Sequence, residues 1–136
     1  MGRLGLGVAV DDRSHPQFAL RAVAGVAVTP NGRGYLVGSA SLQLGSATLL
    51  LPVGFQYEQP VGPPGFAIYA RASLGYAAFF STTTVSAFLL LPELGVRYRL
   101  DRSLEVGVEP LSLPIFFGSG FTGFAWRTLF FVGLRR

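Results

Sequence analysis

The sequence predicts a single all-β domain over residues 1–136. The expected fold is an eight-stranded antiparallel up-and-down transmembrane β-barrel, with an apolar exterior and a polar, Arg/Glu-containing lumen. Three observations predict it. Apolar residues recur at every second position through eight segments, the period at which strand side chains leave opposite faces. The strand charges Arg3, Arg21, Arg71, Glu93, Arg97, Arg99, Glu105, Glu109, Arg127 and Arg135 all fall on the less hydrophobic parity. That parity is otherwise rich in Gly, Ala and Ser (Gly5, Gly7, Ala9, Gly25, Ser39, Ser41, Gly54, Ser73, Gly75). Small residues suit a crowded barrel interior, whereas a solvated sheet face would carry Lys, Glu and Thr.

Composition agrees. Half of the residues are hydrophobic and 13% are charged, against about 25% charged in an ordinary soluble domain. The 18 glycines and 9 prolines argue against a helical bundle, and the absence of cysteine excludes disulfides and thiolate metal sites. No uncharged apolar run approaches the ~18 residues of a spanning helix. All 11 basic residues are arginine, scattered through apolar segments instead of clustered in one run, which argues against nucleic acid as a partner. The opening Leu4–Val10 stretch is too short for a signal peptide and meets Asp11-Asp12. It reads as a strand, so the leader of an exported protein would lie outside this sequence.

The strands follow in order. The first, residues 3–10, sets Leu4, Leu6, Val8 and Val10 against Arg3, Gly5, Gly7 and Ala9. The second, 17–28, sets Phe18, Leu20, Ala22, Ala24, Val26 and Val28 against Arg21, Val23 and Gly25, and Thr29–Arg33 turns the chain with Asn31-Gly32 at its centre. The third, 34–44, points Leu36, Gly38, Ala40, Leu42 and Leu44 outward. The fourth, 47–57, does so with Leu49, Leu51, Val53, Phe55 and Tyr57, and a proline-rich connection follows. The fifth, 66–80, opposes Ile68, Leu74, Tyr76 and Phe80 to Tyr69, Arg71 and Ser73. The sixth, 86–100, opposes Phe88, Leu90, Leu94 and Tyr98 to Glu93, Arg97 and Arg99. In the seventh, 104–117, the parity breaks at Pro110, where one extra residue in a β-bulge would flip the side chains that follow. The eighth runs from Phe124 to the end and turns Phe124, Trp126, Phe130, Val132 and Leu134 one way and Arg127 the other.

Register places residues together. Pairing the second and third strands about Asn31 sets Ala24 opposite Gly38 and Ala22 opposite Ala40. These four outward residues form a smooth patch at mid-membrane, where small residues let backbones approach closely in lipid. The patch is the expected contact for another membrane protein, with a thin spot in the lipid belt as the plainer alternative. Pairing the sixth and seventh strands around Asp101–Ser103 sets Tyr98 opposite Val106 and Arg99 opposite Glu105. The lumen is then expected to hold an ion-pair network of Arg21, Arg71, Glu93, Arg97, Arg99, Glu105, Glu109 and Arg127, because buried charges must be paired and hydrogen-bonded. Aromatic rings bracket the apolar band: Phe18, Phe80, Phe88, Phe117 and Phe124 at one end, and Tyr35, Tyr57, Phe66 and Tyr98 at the other.

On these grounds the chain resembles the small eight-stranded outer-membrane barrels of Gram-negative bacteria, the OmpA membrane domain and OmpX class. The resemblance is architectural and spans the whole chain. It implies residence in the bacterial outer membrane, with the lipid bilayer, or detergent, as immediate partner. The class usually ends in an aromatic residue, whereas here Phe130, Val132 and Leu134 lead to Arg135-Arg136. The class often has long loops, whereas those expected here are short.

No constellation for a metal, cofactor or nucleotide is present in the sequence, and no catalytic residues are assigned. The only histidine, His15, stands beside Ser14 and near Asp11 and Asp12. All lie in one loop, whereas a triad is assembled from separated elements, so a solvated turn is the simpler reading. The expectation is a non-enzymatic structural or accessory envelope barrel. A narrow pore or small-ligand barrel is the alternative, ahead of a lipid-modifying rim enzyme or a soluble lipocalin-like carrier.

Overall fold

The computed structural model describes residues 1–11 and 15–135. Its strands are β1 (Gly2–Asp11), β2 (Pro16–Ala27), β3 (Gly34–Leu44), β4 (Thr48–Pro60), β5 (Phe66–Phe80), β6 (Thr84–Arg99), β7 (Leu104–Ser112), β8 (Ile115–Gly118) and β9 (Phe121–Leu134). Each pairs antiparallel with its neighbours, and β1 closes on β9 from Gly2 opposite Leu134 to Asp11 opposite Ala125. Closure leaves no sheet edge, which lipid would make costly because nothing there satisfies free N–H and C=O groups.

The nine strands make eight barrel positions. β7 and β8 are two halves of the seventh, each lying between β6 and β9. The break falls where the sequence places it. Pairing with β9 shifts between Glu109 and Ser112, around Pro110, which has no N–H to give the ladder. Glu109 points inward before the shift, Ser112 and Phe116 after it. The freed Pro110 carbonyl accepts from Trp126 Nε1 at 3.1 Å and Thr128 Oγ1 at 3.3 Å, so the bulge is tied to the outer face of β9.

Two turns hold the predicted registers. Ala22 pairs with Ala40, and Ala24 with Gly38. In the 29–33 turn Gly32 takes the positive φ of 66°, whereas Asn31 contributes through its side chain: Oδ1 accepts from Arg33 N at 3.0 Å. Arg99 pairs with Glu105 across the 101–103 turn. There Asp101 Oδ1 accepts the backbone N–H of Ser103 and of Leu104, each at 2.7 Å, which holds its carboxyl below the ordinary carboxylate range.

The exterior is an apolar band. Leu4, Leu74, Phe130, Val132 and Leu134 are among its most exposed members. Phe18, Phe80, Phe88, Phe117 and Phe124 ring one end; Tyr57 and Tyr98 are exposed at the other. Tyr35 departs from this expectation: it is buried and faces the lumen, because Tyr35 shares the parity of Val37, not of Leu36.

The lumen has two zones. At the end of the 45–47 and 81–83 turns it is packed with Leu50, Leu89, Leu91 and Phe116, with alanines between them and Phe79 against them. Phe79 meets Phe116 edge to face with ring centroids 5.0 Å apart. The rest of the lumen holds the charged side chains, interspersed with two small apolar clusters, Ala9/Ala19/Leu129 and Val23/Tyr35/Val37. This apolar plug was not expected from parity alone, which assigned a polar interior throughout.

The lipid face sets the first prediction. Leu74 lies mid-strand on the exposed parity of β5. Leu74→Arg is expected to lower unfolding free energy in lipid vesicles by about 2–4 kcal/mol, measured by denaturant titration.

Candidate functional site

Alternation along β1, β2, β4, β5, β6, β7 and β9 aims their charged residues at the barrel axis, and closure brings them together in two connected clusters. Mid-lumen, Arg21, Arg71 and Arg127 surround Glu93 and Glu109. Arg21 donates to both oxygens of Glu93, through Nη1 to Oε1 and through Nη2 to Oε2 at 2.8 Å, and its Nη1 also reaches Glu109 Oε2 at 2.6 Å. Arg71 grips the same two carboxylates, at 2.9 Å to Glu93 Oε2 and 3.2 Å to Glu109 Oε1. Arg127 is fully buried, with Nη2 3.6 Å from Glu93 Oε1. It donates to Ser41 Oγ at 2.8 Å and Ser112 Oγ at 2.9 Å, and Ser112 donates in turn to Glu93 Oε1 at 2.8 Å.

Nearer the 29–33 turn, Arg3, Arg97 and Arg135 surround Glu58 and Glu105. Arg3 donates to Glu105 Oε1 at 2.6 Å and Glu58 Oε1 at 3.0 Å. Arg97 Nε donates to Glu58 Oε2 at 3.0 Å. Arg135 Nη2 donates to Glu58 Oε1 at 2.7 Å, and its Nε lies 3.3 Å from Glu105 Oε2. Gln56 and Tyr69 join the two clusters. Gln56 Oε1 accepts from Arg3 Nη1 at 3.3 Å and Arg71 Nη2 at 2.6 Å. Tyr69 donates to Glu109 Oε1 at 2.5 Å, and its ring faces the guanidinium groups of Arg3 and Arg71 at 4.8 and 5.6 Å. Gly95 makes room for that ring: a Cβ there would meet Tyr69 Cζ at 2.4 Å.

Arginine outnumbers glutamate in this lattice, so neutral oxygens join it: Ser41, Ser112 and Gln56, together with the Tyr35 hydroxyl for Arg135 at 3.0 Å and the Gly65 carbonyl for Arg97 at 3.3 Å. Each carboxylate serves at least two guanidinium groups, which is how buried ions of unequal number avoid standing unpaired.

Of the eight residues named for the network, Arg21, Arg71, Glu93, Arg97, Glu105, Glu109 and Arg127 meet in it. Arg99 does not. It is exposed at the end of β6, although its backbone faces Glu105 in the ladder. The strand end leaves Arg99 exposed, while Arg3, Arg97 and Arg135 take Glu105 from deeper in the barrel. Three members were missed. Arg3 and Arg135 lie on the inward parity and carried that signal. Glu58 looked like part of the proline-rich connection, but β4 extends through it to Pro60.

The patch residues Ala22, Ala24 and Ala40 are exposed and Gly38 is half-buried. Ala22 and Ala40 line a groove of about 570 Å³ on the barrel wall with Leu4, Leu20, Leu42 and Leu49. His15 is exposed at the plugged mouth, whereas Asp12 and Ser14 lie outside the described residues. Among the described residues, no cluster of His, Cys, Asp and Glu could hold a metal ion.

The arrangement of apolar wall, closed ladder and charged lumen recurs in solved structures. The N-terminal β-barrel domain of Pseudomonas aeruginosa OprF superposes with a TM-score of 0.69 at 13% identity, covering 98% of this chain and 95% of that one. Neisserial surface protein A gives 0.71 at 13% identity, covering 99% and 94%. The chain has the fold of the small eight-stranded outer-membrane barrels. The outer-membrane enzyme PagL shares it too, at TM-score 0.64 and 19% identity over 96% of this chain and 97% of that one. No protein-family model matches the chain, and no curated protein matches its sequence. The shared fold therefore carries a barrel domain, a surface protein and an enzyme alike, and function has to be argued from the lumen and rims.

Removing one carboxylate from the lattice tests its weight. Glu93→Gln leaves Arg21, Arg71 and Arg127 short of a counter-charge, and breaking such a buried pair is expected to cost about 3–5 kcal/mol. Arg99→Gln, outside the lattice, is expected to stay within about 0.5 kcal/mol of the parent. Urea unfolding in micelles, followed by tryptophan fluorescence, measures both.

Proposed function

We propose that this protein is a structural or accessory component of the bacterial cell envelope: an integral outer-membrane barrel with short loops and no catalytic role. One observation carries the reading. The lumen is filled from the wall inward by side chains bonded to one another, and its far end is packed with Leu50, Leu89, Leu91 and Phe116. Such an interior holds its charged groups in a fixed lattice. The connections at 45–47, 81–83 and 100–103 are short, so little surface stands clear of the membrane for adhesion. The inward charges and outward leucines are the reverse of what a soluble carrier of apolar ligands needs.

The Ala22, Ala24, Gly38 and Ala40 patch is our candidate contact for another membrane protein, supported by small outward side chains that let backbones approach closely in lipid. Gly38 offers a clean handle, because a Cβ added there meets nothing within 4 Å.

Unheated samples refolded in detergent are expected to run as a compact band that shifts on boiling. In planar bilayers the parent protein is expected to give no stepwise conductance; clear steps would replace this reading with that of a pore. Release of fatty acid from envelope lipids would replace it with that of a rim enzyme. Ala24→Leu with Gly38→Leu is expected to abolish cross-linked assemblies while the heat-modifiable band persists, and unchanged assemblies would remove the patch from the proposal.

A further inference from the structure

The geometry points to a binding site for a phosphate-bearing anion in the mouth of the barrel opposite the plug. A cavity of about 300 Å³ opens there, lined by Arg33, Arg97, Arg99 and Arg135, with Tyr35 and Glu58. Glu58 is its only carboxylate among the described lining residues. Both Glu58 oxygens are taken, Oε1 by Arg3 and Arg135 and Oε2 by Arg97. Among the described residues, therefore, the two rim arginines have no counter-ion in the cavity. Among the described residues the Arg33 guanidinium donates only to the neutral Gln59 Oε1, at 3.3 Å. Arg99 is exposed, and its side chain has no hydrogen-bond or ion-pair partner among the described residues.

This surplus is built into the fold and is not an accident of a flexible surface. Arg33 is carried by a turn in which Asn31 Oδ1 accepts its backbone N–H and Thr29 Oγ1 accepts that of Gly34, at 2.7 Å. Arg99 is held by its backbone N–H to Gly65 O at 2.9 Å and by the ladder opposite Glu105. Beneath them, Arg97 and Arg135 are fixed by the lattice. The result is a ring of guanidinium forks over a positively charged lumen inside low-dielectric walls, which focus field on an anion in the mouth. Guanidinium forks match the oxygens of a phosphate two at a time, and a phosphate offers more charge and more acceptors than a carboxylate. The cavity has room for the phosphate together with a small organic group that carries it.

Phosphate chemistry can arrive on a soluble ester or on a lipid head group, and two measurements separate them. Inorganic phosphate is titrated calorimetrically into the refolded barrel in zwitterionic detergent at low salt. Retention of phosphatidylglycerol over phosphatidylcholine is read by native mass spectrometry. Saturable phosphate binding that weakens by about tenfold or more in R33Q/R99Q assigns the site to a soluble phosphate. Phosphatidylglycerol retention that is lost in the same variant, without phosphate binding, assigns it to a head group. Arg102→Gln, on the 101–103 turn and outside the cavity, is expected to change neither. Failure of both measurements, survival of binding in R33Q/R99Q, or an equal loss in Arg102→Gln would each overturn the site. Heat-modifiable mobility confirms in every sample that the barrel is folded.

Discussion

Closure of β1 on β9 is the constraint from which the rest of the structure follows. In hydrocarbon, each unpaired backbone N–H or C=O is costly, so the sheet must end where it began. The ladder from Gly2–Leu134 to Asp11–Ala125 does this, and it encloses a space that eight strands make just wide enough for side chains to fill. Once closed, the alternation has consequences for every residue. Outward side chains meet lipid and inward ones meet each other. Arg3, from the first strand, and Arg135, beyond the last, come to share Glu58 and Glu105 only because the barrel is shut.

Filling that space with charge raises a second problem, which the lattice solves by sharing. Desolvating an ion costs several kcal/mol, and one partner seldom offsets it. Glu93 accepts from Arg21, Arg71 and Ser112. Glu58 accepts from Arg3, Arg97, Arg135 and Gln56. The cross-links join strands far apart in sequence, such as β2 to β6 and β1 to β4, so the lattice specifies how the barrel wall is arranged around its axis. The apolar plug adds a different kind of cohesion at the other end, where Phe79, Phe116 and Phe121 pack edge to face. Both zones together pack the lumen with side chains drawn from every part of the wall.

Much of this was legible in the strand pattern, for a physical reason. Period-two alternation is a local property of extended backbone, and both hairpin registers followed from turn position, as Ala24–Gly38 and Arg99–Glu105 show. The bulge at Pro110 was visible because parity must be repaired when hydrophobic residues change face. Depth along the axis was less legible. Parity put Arg99 on the inward face, but its place at the strand end leaves it exposed. Parity put Leu50, Leu89 and Leu91 on the same face as the arginines, yet their distance along the strands sorts them into a separate apolar zone. Glu58 was hidden because prolines beside it suggested a connection, whereas β4 continues on the strength of its pairing with β5.

The sequence by itself determined which face of each strand meets lipid, how neighbouring strands pair and where the seventh breaks, because these depend on residues close along the chain. Only the tertiary structure decided which charges meet, that one end of the lumen is packed with leucine and phenylalanine, and that Arg33 and Arg99 are left over at the open mouth. Those outcomes depend on stagger around a closed wall. Stagger places residues from β1, β4, β6 and β7 at one height, and no single strand or hairpin encodes it.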